Sequence, residues 1–224
     1  MTQERWTAVD QYFNGLLIPA DPVLESTLQA MRQAGLPSIQ VSPLQGKYLS
    51  ILAQAIQAKS ILEIGTLAAY STIWLARALP SDGKMITMEA NPKHAAVARA
   101  NLARAGLEKM VDLRVGLALD SLARLFEEKV PAFDMVFIDA DKPNNKGYFE
   151  WALKLTHPGS LIVIDNVVRD GEVVNEFSSD SAVQGVRNFM PGLASDPRVT
   201  ASAIQTVSSK GYDGFAIALV TAKG

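Results

Sequence analysis

The sequence of 224 residues contains no cysteine. This absence excludes disulfide bonds, thiolate nucleophiles and cysteine-ligated zinc sites, so any metal ligands must be oxygen or nitrogen atoms. Histidine is also scarce, because His94 and His157 are its two occurrences. We interpret both as structural or surface groups, since one lies within a helical pattern and the other in the turn THPG.

The sequence has neither a block of basic residues nor a long apolar run. Its 21 Lys and Arg residues are balanced by 23 Asp and Glu residues, which gives a formal net charge of −2. We expect no nucleic acid partner, because such partners are bound through concentrated positive charge. No apolar stretch approaches the roughly 18 residues of a membrane span, and the first residues lack the apolar core of a signal peptide. We therefore expect a cytoplasmic protein without a membrane partner.

Short β-rich runs alternate with helical patterns from Ile61 onward. The β-rich runs are ILEIG, KMITMEA, VDLRVG, FDMVFID and SLIVID. Strands that alternate with helices form a parallel sheet covered on both faces. Two further runs, RVTASAIQTV and GFAIALVTA, have only SSKGYDG between them and predict an antiparallel hairpin. The sequence therefore predicts a doubly wound α/β fold with a mostly parallel, seven-stranded sheet that ends in a hairpin.

The first sixty residues have helical patterns without strands. DPVLESTLQAMRQAG and LQGKYLSILAQAIQA carry apolar residues three and four positions apart, which is typical of helices. The two prolines of GLPSIQVSP predict an extended segment between them. We predict a single domain over residues 1–224, in which residues 1–58 form N-terminal helices.

Two aspartates follow two of the apolar runs. Asp139 ends the run in FDMVFIDADK, and Asp165 ends the run in SLIVIDNVV and precedes Asn166. In neighbouring parallel strands, these oxygen-bearing side chains meet at the edge where open α/β sheets bind ligands. Together with Lys142, they indicate metal-assisted chemistry on an oxygen-rich small molecule; the alternative for Lys142 is that it only neutralises a nearby aspartate. The polar stretch VVRDGEVVNEFSSDSAVQG that follows is interpreted as a loop over this site.

A second pattern indicates a nucleoside pocket. The stretch ILEIGTLAAYS has one glycine, Gly65, whereas a dinucleotide fingerprint needs three to admit a pyrophosphate. Glu89 ends the next strand, where an acidic side chain commonly accepts the hydroxyls of a ribose. A ribose without a pyrophosphate indicates an adenosine cofactor such as S-adenosylmethionine. The alternative is that Gly65 is a turn glycine and Glu89 a solvated strand end.

The motifs EIGTLAAYS, MEANP, GLALDSL, FIDADK and IDNVV, in this order, resemble those of the cation-dependent O-methyltransferases of the caffeoyl-CoA and catechol type. The resemblance implies a class I methyltransferase fold, which is Rossmann-like, and S-adenosylmethionine as methyl donor. It also implies a divalent cation, with Mg²⁺ expected first and Mn²⁺ or Ca²⁺ as alternatives. The expected acceptor is a small phenolic molecule with vicinal hydroxyls, and the expected assembly is a homodimer.

The same resemblance assigns roles to individual residues. Asp139, Asp165 and Asn166 match the metal ligands, and Lys142 acts with Asp139 in catalysis. The residues that match the cofactor contacts are Ile39, Val41, Glu63, Gly65, Ser71, Glu89, Ala118 and Asp139.

Two positions depart from the family pattern. Ala69 stands where the family usually has a glycine, and we expect its methyl group to be tolerated if its φ angle is negative. Val41 stands where the family often has a polar residue. Two alternative functions remain at this point: methyl transfer to a hydroxyl that is not part of a catechol, and a catalytically silent protein that binds an adenosyl ligand.

Overall fold

The computed structural model describes residues 2–222. Its centre is a seven-stranded sheet of order β3-β2-β1-β4-β5-β7-β6, in which neighbouring strands among β1 to β5 are parallel and β7 is antiparallel to both β5 and β6. The predicted fold class is confirmed. The strands are β1 Ser60–Ile64, β2 Lys84–Glu89, β3 Val111–Val115, β4 Phe133–Ile138, β5 Thr156–Asp165, β6 Val199–Ser208 and β7 Gly211–Val220.

Eight α-helices are described around the sheet. They are α1 Gln3–Leu17, α2 Pro22–Gln33, α3 Pro43–Ala55, α4 Tyr70–Ala76, α5 Pro92–Arg104, α6 Ala118–Glu127, α7 Asn145–Lys154 and α8 Ser181–Ser195. Local sequence explains several helix starts, because Asp21 and Asn91 each accept a backbone N–H at the helix start and each precedes a proline. None of these helices within residues 2–222 is long and apolar enough to cross a membrane.

Apolar layers cover both faces of the sheet. Successive residues of a strand point to opposite faces, so that Ile61 packs with one layer and Leu62 with the other. The first layer includes Ile73 of α4, and the second includes Phe149 of α7 and Phe189 of α8. With both faces buried, the functional groups lie at the ends of the strands.

Three boundaries differ from the sequence prediction. The polar stretch predicted as a loop ends at Asp180, because α8 begins at Ser181 and continues through Pro191. Strand β5 begins at Thr156, before the Pro-Gly pair, and pairs with β4 through an irregular register. The hairpin turn consists of Ser209 and Lys210 alone, since GYDG belongs to β7. In each case long-range pairing or packing overrides the local turn signal.

Candidate active site

A cavity of about 920 Å³ lies at the carboxyl edge of the parallel strands. Its walls come from the segments that follow all five parallel strands and from the extended segment before α3. The predicted residues that line it are Ile39, Val41, Gly65, Ser71, Glu89, Ala118, Asp139, Lys142 and Asn166. Two other predicted residues, Glu63 and Asp165, are buried. The fold thus brings the predicted cofactor and metal residues to one region of the molecule.

Gly65 lies in the turn after β1, against the backbone of the predicted metal ligand Asp139. Its φ angle is +102°, and a Cβ atom at this position would lie 2.1 Å from the backbone oxygen of Asp139. Only glycine fits here, because a side chain would collide with backbone and would strain the φ angle. This close approach brings the turn after β1 against the residue that follows β4.

Glu63 is fully buried, with 0% of its surface exposed. Its carboxylate accepts hydrogen bonds from the hydroxyls of Ser71 at 2.7 Å, Thr72 at 2.5 Å and Thr87 at 2.7 Å. Burial raises the pKa of Glu63 to about 7, against the opposing effect of the three hydroxyl donors. The structure therefore places Glu63 where it orients Ser71, and Ser71 lines the cavity.

Glu89 is held at the end of β2 by two backbone donors. Its Oε2 atom accepts from the N–H of Leu67 at 2.8 Å, and Oε1 accepts from the N–H of Asn91 at 2.9 Å. The Nδ1 atom of His94 lies 3.4 Å from Oε1, so this histidine lines the cavity beside a predicted cofactor residue. The carboxylate is thus fixed in the cavity wall before any ligand binds.

Asp139 and Asp165 lie at the ends of β4 and β5. Asp165 is 4% exposed, and its Oδ2 accepts from Nε2 of Gln45 at 2.8 Å. Its Oδ1 accepts from the backbone N–H of Asn166, whose φ angle of +56° is left-handed. The Nζ atom of Lys142 lies 3.2 Å from Oδ1 of Asp139. Four of the predicted site residues therefore meet at this edge.

The charges at this edge fit a hard cation. Burial, followed by the charge of Asp139, raises the pKa of Asp165 to about 7, while Lys142 opposes the rise. Within residues 2–222, no group of three or more His, Asp or Glu side chains is arranged to hold a metal ion. A cation at this place would therefore use two carboxylates and the amide oxygen of Asn166. That all-oxygen set suits Mg²⁺, Mn²⁺ or Ca²⁺.

Two polar residues of the site carried no signal in the sequence. Gln45, on the N-terminal helix α3, donates a hydrogen bond from Nε2 to the carboxylate of Asp165. Tyr148, on α7, lines the cavity and donates its hydroxyl to the carboxylate of Asp141. Burial and the adjacent Asp141 raise the pKa of this tyrosine, which keeps it a hydrogen-bond donor. Both residues lie on helices whose orientation is set by packing, so their spacing along the chain does not reveal these contacts.

The structure corrects the expectation for Ala69. Its φ angle is +67°, not negative, and the residue is fully buried at the start of α4. An alanine in this left-handed conformation costs about 1–2 kcal/mol that a glycine would not. Val41 is buried to 5% exposure and gives the cavity an apolar wall, whereas Ile39 is 67% exposed at its border.

Known proteins share this architecture. The family model described as O-methyltransferase matches residues 19–218. A relative named catechol O-methyltransferase, from Niastella koreensis, is 52% identical over 220 residues, which cover 98% of this chain and 100% of the relative.

Solved structures agree with this relationship. An O-methyltransferase from Bacillus cereus in complex with SAH is 56% identical with a TM-score of 0.97, covering 98% of this chain and 100% of that one. The O-methyltransferase TomG from Streptomyces achromogenes, involved in tomaymycin synthesis and solved with SAM, is 51% identical with a TM-score of 0.95 and 99% coverage of both chains. The family resemblance inferred from the sequence motifs is confirmed. The chain belongs to the O-methyltransferase family and is an S-adenosylmethionine-dependent O-methyltransferase.

Proposed function

We propose that the protein transfers a methyl group from S-adenosylmethionine to one hydroxyl of a vicinal dihydroxy aromatic molecule, with the help of a divalent cation. The observation that carries this proposal is a pair of carboxylates at the ends of neighbouring strands: Asp139 lines the cavity beside Lys142 and Asn166, and Asp165 is buried behind this wall. Two like charges at a buried edge favour a bound cation. The name of the relative from Niastella koreensis agrees with a catechol acceptor.

Asp139, Asp165 and Asn166 would hold the cation, and the chemistry supplied by the bound cation is a lowered pKa of the acceptor hydroxyl. Gln45 supports this set, because its hydrogen bond fixes the orientation of the Asp165 carboxylate. We assign the methyl donor to the other half of the cavity. Gly65 and Ser71 would contact its methionine end, Glu89 its ribose and Ala118 its adenine, and Ile39 and Val41 would close the pocket. Behind Ser71, Glu63 orients the hydroxyl.

Lys142 is the residue that we assign to the proton of the acceptor hydroxyl. Its side chain is 7% exposed, and its Nζ atom lies 3.2 Å from Oδ1 of Asp139 at the end of β4. As a neutral amine, Lys142 would accept the hydroxyl proton while the oxygen forms its bond to the methyl carbon. The methyl–sulfur bond of S-adenosylmethionine breaks in the same step, and S-adenosylhomocysteine leaves. General-base catalysis of this kind contributes about 10²–10⁴ in rate. The remaining rate enhancement comes from the alignment of the two substrates.

The expected assembly is a homodimer. We define the apolar surface as the exposed apolar side chains of α1, α3 and β6, of which α1 contacts the other two elements. These side chains are Val9, Tyr12, Phe13, Leu16, Leu17, Tyr48, Ile51, Ile204 and Val207. So many exposed apolar side chains on neighbouring elements of a small protein are typical of a protein interface. We propose a second copy of the chain as the partner.

The proposed chemistry is tested by comparing a catechol with the matched monophenol. The monophenol lacks one cation ligand and is free to swing away from the methyl group, an error that costs on the order of 10² in rate. We expect the catechol to be methylated with a kcat/KM at least about 10²-fold higher. Equal rates would contradict chelation and favour an acceptor with a single hydroxyl.

A chelator provides the matched control for that experiment. It should abolish methyl transfer and leave the affinity for S-adenosylmethionine largely intact, because the adenosine and ribose contacts involve no cation. Calorimetry with and without chelator measures that affinity. Full turnover without cations would rule out the proposed mechanism, and cofactor binding without turnover on any phenol would favour the silent alternative.

A further inference from the structure

One cationic side chain in the cavity wall has no function in the proposed reaction. Arg169 follows the predicted metal ligand Asn166 by three residues and lines the same cavity. Its Nε atom is buried and has no hydrogen-bond partner in the structure. Within residues 2–222, no carboxylate lies within salt-bridge distance of its guanidinium group.

The other half-buried arginines of the described chain differ in this respect. Arg114 is paired with Asp112 and Glu128, and Arg198 is paired with Asp196. Arg187 donates to the backbone oxygen of Val173 at 2.7 Å. A partly desolvated cation without a partner is unfavourable, and these three arginines accordingly each have one. Arg169 is the exception, and it is the one that lines the cavity.

The position of Arg169 is built into the fold. Asp213 of β7 accepts the backbone N–H groups of Val168 and Arg169 through one oxygen, each at 3.0 Å. Arg169 and Asp170 both have left-handed backbones, with φ angles of +56° and +55°. Such conformations are unfavourable for residues other than glycine and persist where the surrounding structure enforces them, often at ligand sites. Strand β7, through Asp213, thus fixes the backbone of this arginine beside the cavity.

Three of the four acidic side chains that line the cavity already have partners, and the fourth, Asp120 in the first turn of α6, forms no ion pair with Arg169. Asp139 faces Lys142, Asp141 accepts the hydroxyl of Tyr148, and Glu89 accepts two backbone N–H groups. Since no carboxylate of residues 2–222 pairs with Arg169, we assign its negatively charged partner to a ligand. The planar guanidinium group binds a carboxylate through two parallel hydrogen bonds, a geometry that selects this group.

We propose that Arg169 binds a carboxylate on the acceptor, so that the preferred substrates are vicinal dihydroxy aromatic acids. This inference rests on the proposed methyl transfer, because it specifies the acceptor of that reaction. The hydroxyl pair would lie at the Asp139 and Asp165 end of the wall. The acid group would lie beside the segment that follows β5.

The test compares a dihydroxybenzoate with the corresponding dihydroxybenzamide, which has nearly the same shape and no charge. For the unaltered enzyme we expect kcat/KM to be about 10- to 100-fold higher for the acid, the difference expected of charge-assisted hydrogen bonds. In Arg169→Gln the ratio of the two kcat/KM values should fall to about 1. In Arg169→Lys it should take an intermediate value, because lysine keeps the positive charge but cannot form the two parallel hydrogen bonds of a guanidinium group.

Lys146→Gln is the matched control. It removes one positive charge from an exposed position on α7, and the ratio should persist if the effect is local to Arg169. A ratio near 1 in the unaltered enzyme would overturn the proposal. Equal losses for acid and amide in Arg169→Gln would also overturn it, because they would indicate a structural role.

A binding measurement separates this inference from the proposed reaction. The affinities for the acid and the amide are measured by calorimetry with Mg²⁺ and the demethylated cofactor present, so no turnover is needed. Tighter binding of the acid that disappears in Arg169→Gln supports the carboxylate site even if neither compound is methylated, in which case the proposed reaction alone fails. Equal affinities, or no binding of either compound, would refute the site.

Discussion

Single residues with unusual backbone conformations determine where the two halves of the active site meet. Gly65 is the clearest case, because the missing side chain lets the turn after β1 approach the backbone of Asp139. Gly106 also has a positive φ angle, of +70°, but a Cβ atom there would meet nothing within 4 Å. Substituting each glycine by alanine therefore distinguishes the cost of a strained φ angle from the cost of a steric clash.

Gly65→Ala should combine both penalties. We expect a loss of at least about 3 kcal/mol in the free energy of unfolding, from the strained φ angle and from displacement of the strand end. Cofactor affinity should fall as well, because the displaced residue lies between Ser71 and Asp139. Urea denaturation and calorimetry measure the two effects.

Gly106→Ala is the matched control for this substitution. It carries the strain without the collision, so we expect a loss of only about 1–2 kcal/mol and unchanged cofactor affinity. If the two variants lost equal stability, the close contact with Asp139 would not be the reason for glycine at position 65.

At the scale of elements, α8 positions the turn that carries Lys142. This helix packs against the 3₁₀ turn Lys142–Asn144, and Gly185 forms the contact. A Cβ atom on Gly185 would lie 2.4 Å from the backbone oxygen of Lys142 and 2.6 Å from the backbone nitrogen of Pro143. The sequence prediction placed Gly185 in a loop, so this contact was not expected.

Gly185→Ala should displace Lys142 by pushing its backbone. We expect a loss of about 1–3 kcal/mol in stability from overpacking. Methyl transfer should fall on the order of 10²-fold, since small misplacements of reacting groups have effects of that size. Steady-state kinetics and urea denaturation test the two expectations.

Gly192→Ala, in the same helix, provides the comparison. A Cβ atom there meets nothing within 4 Å, so the substitution should raise stability by up to about 1 kcal/mol and leave turnover unchanged. Normal turnover in Gly185→Ala would show that α8 does not position the lysine.

At the scale of the whole molecule, the apolar surface is the feature that the fold of one chain leaves uncovered. Leu16 is 65% exposed and Tyr12 is 64% exposed. Leu16→Glu should weaken a homodimer by at least about 100-fold in its dissociation constant, because it would bury an unpaired carboxylate in an apolar interface. Size-exclusion chromatography with light scattering measures the assembly.

Val174 is 84% exposed and lies outside the apolar surface, so Val174→Glu introduces the same charge away from the proposed interface. It should leave the assembly unchanged. A monomeric unaltered protein, or equal effects of both variants, would contradict the proposed interface.

Much of this architecture follows from the sequence. Apolar runs and their spacing predicted the strands, because a parallel sheet buried on both faces requires continuous apolar segments. Asp139, Asp165 and Asn166 were predicted to meet because parallel strands end at the same edge of the sheet. The ends of α5 are also local features: Asn91 accepts a backbone N–H at its start, and Gly106 adopts a positive φ angle just after its end, and neither needs a distant partner.

Tertiary structure alone decided the contacts between distant segments. The hydrogen bond from Gln45 to Asp165, the packing of Gly185 on Lys142 and the left-handed angle of Ala69 all depend on how whole helices lie against the sheet. The same is true of Arg169, whose backbone N–H donates to Asp213 on β7, a strand much later in the sequence. Sequence patterns record local preference and burial. The direction of a helix, and hence the partner of each polar side chain on it, is set by the packing of the complete core.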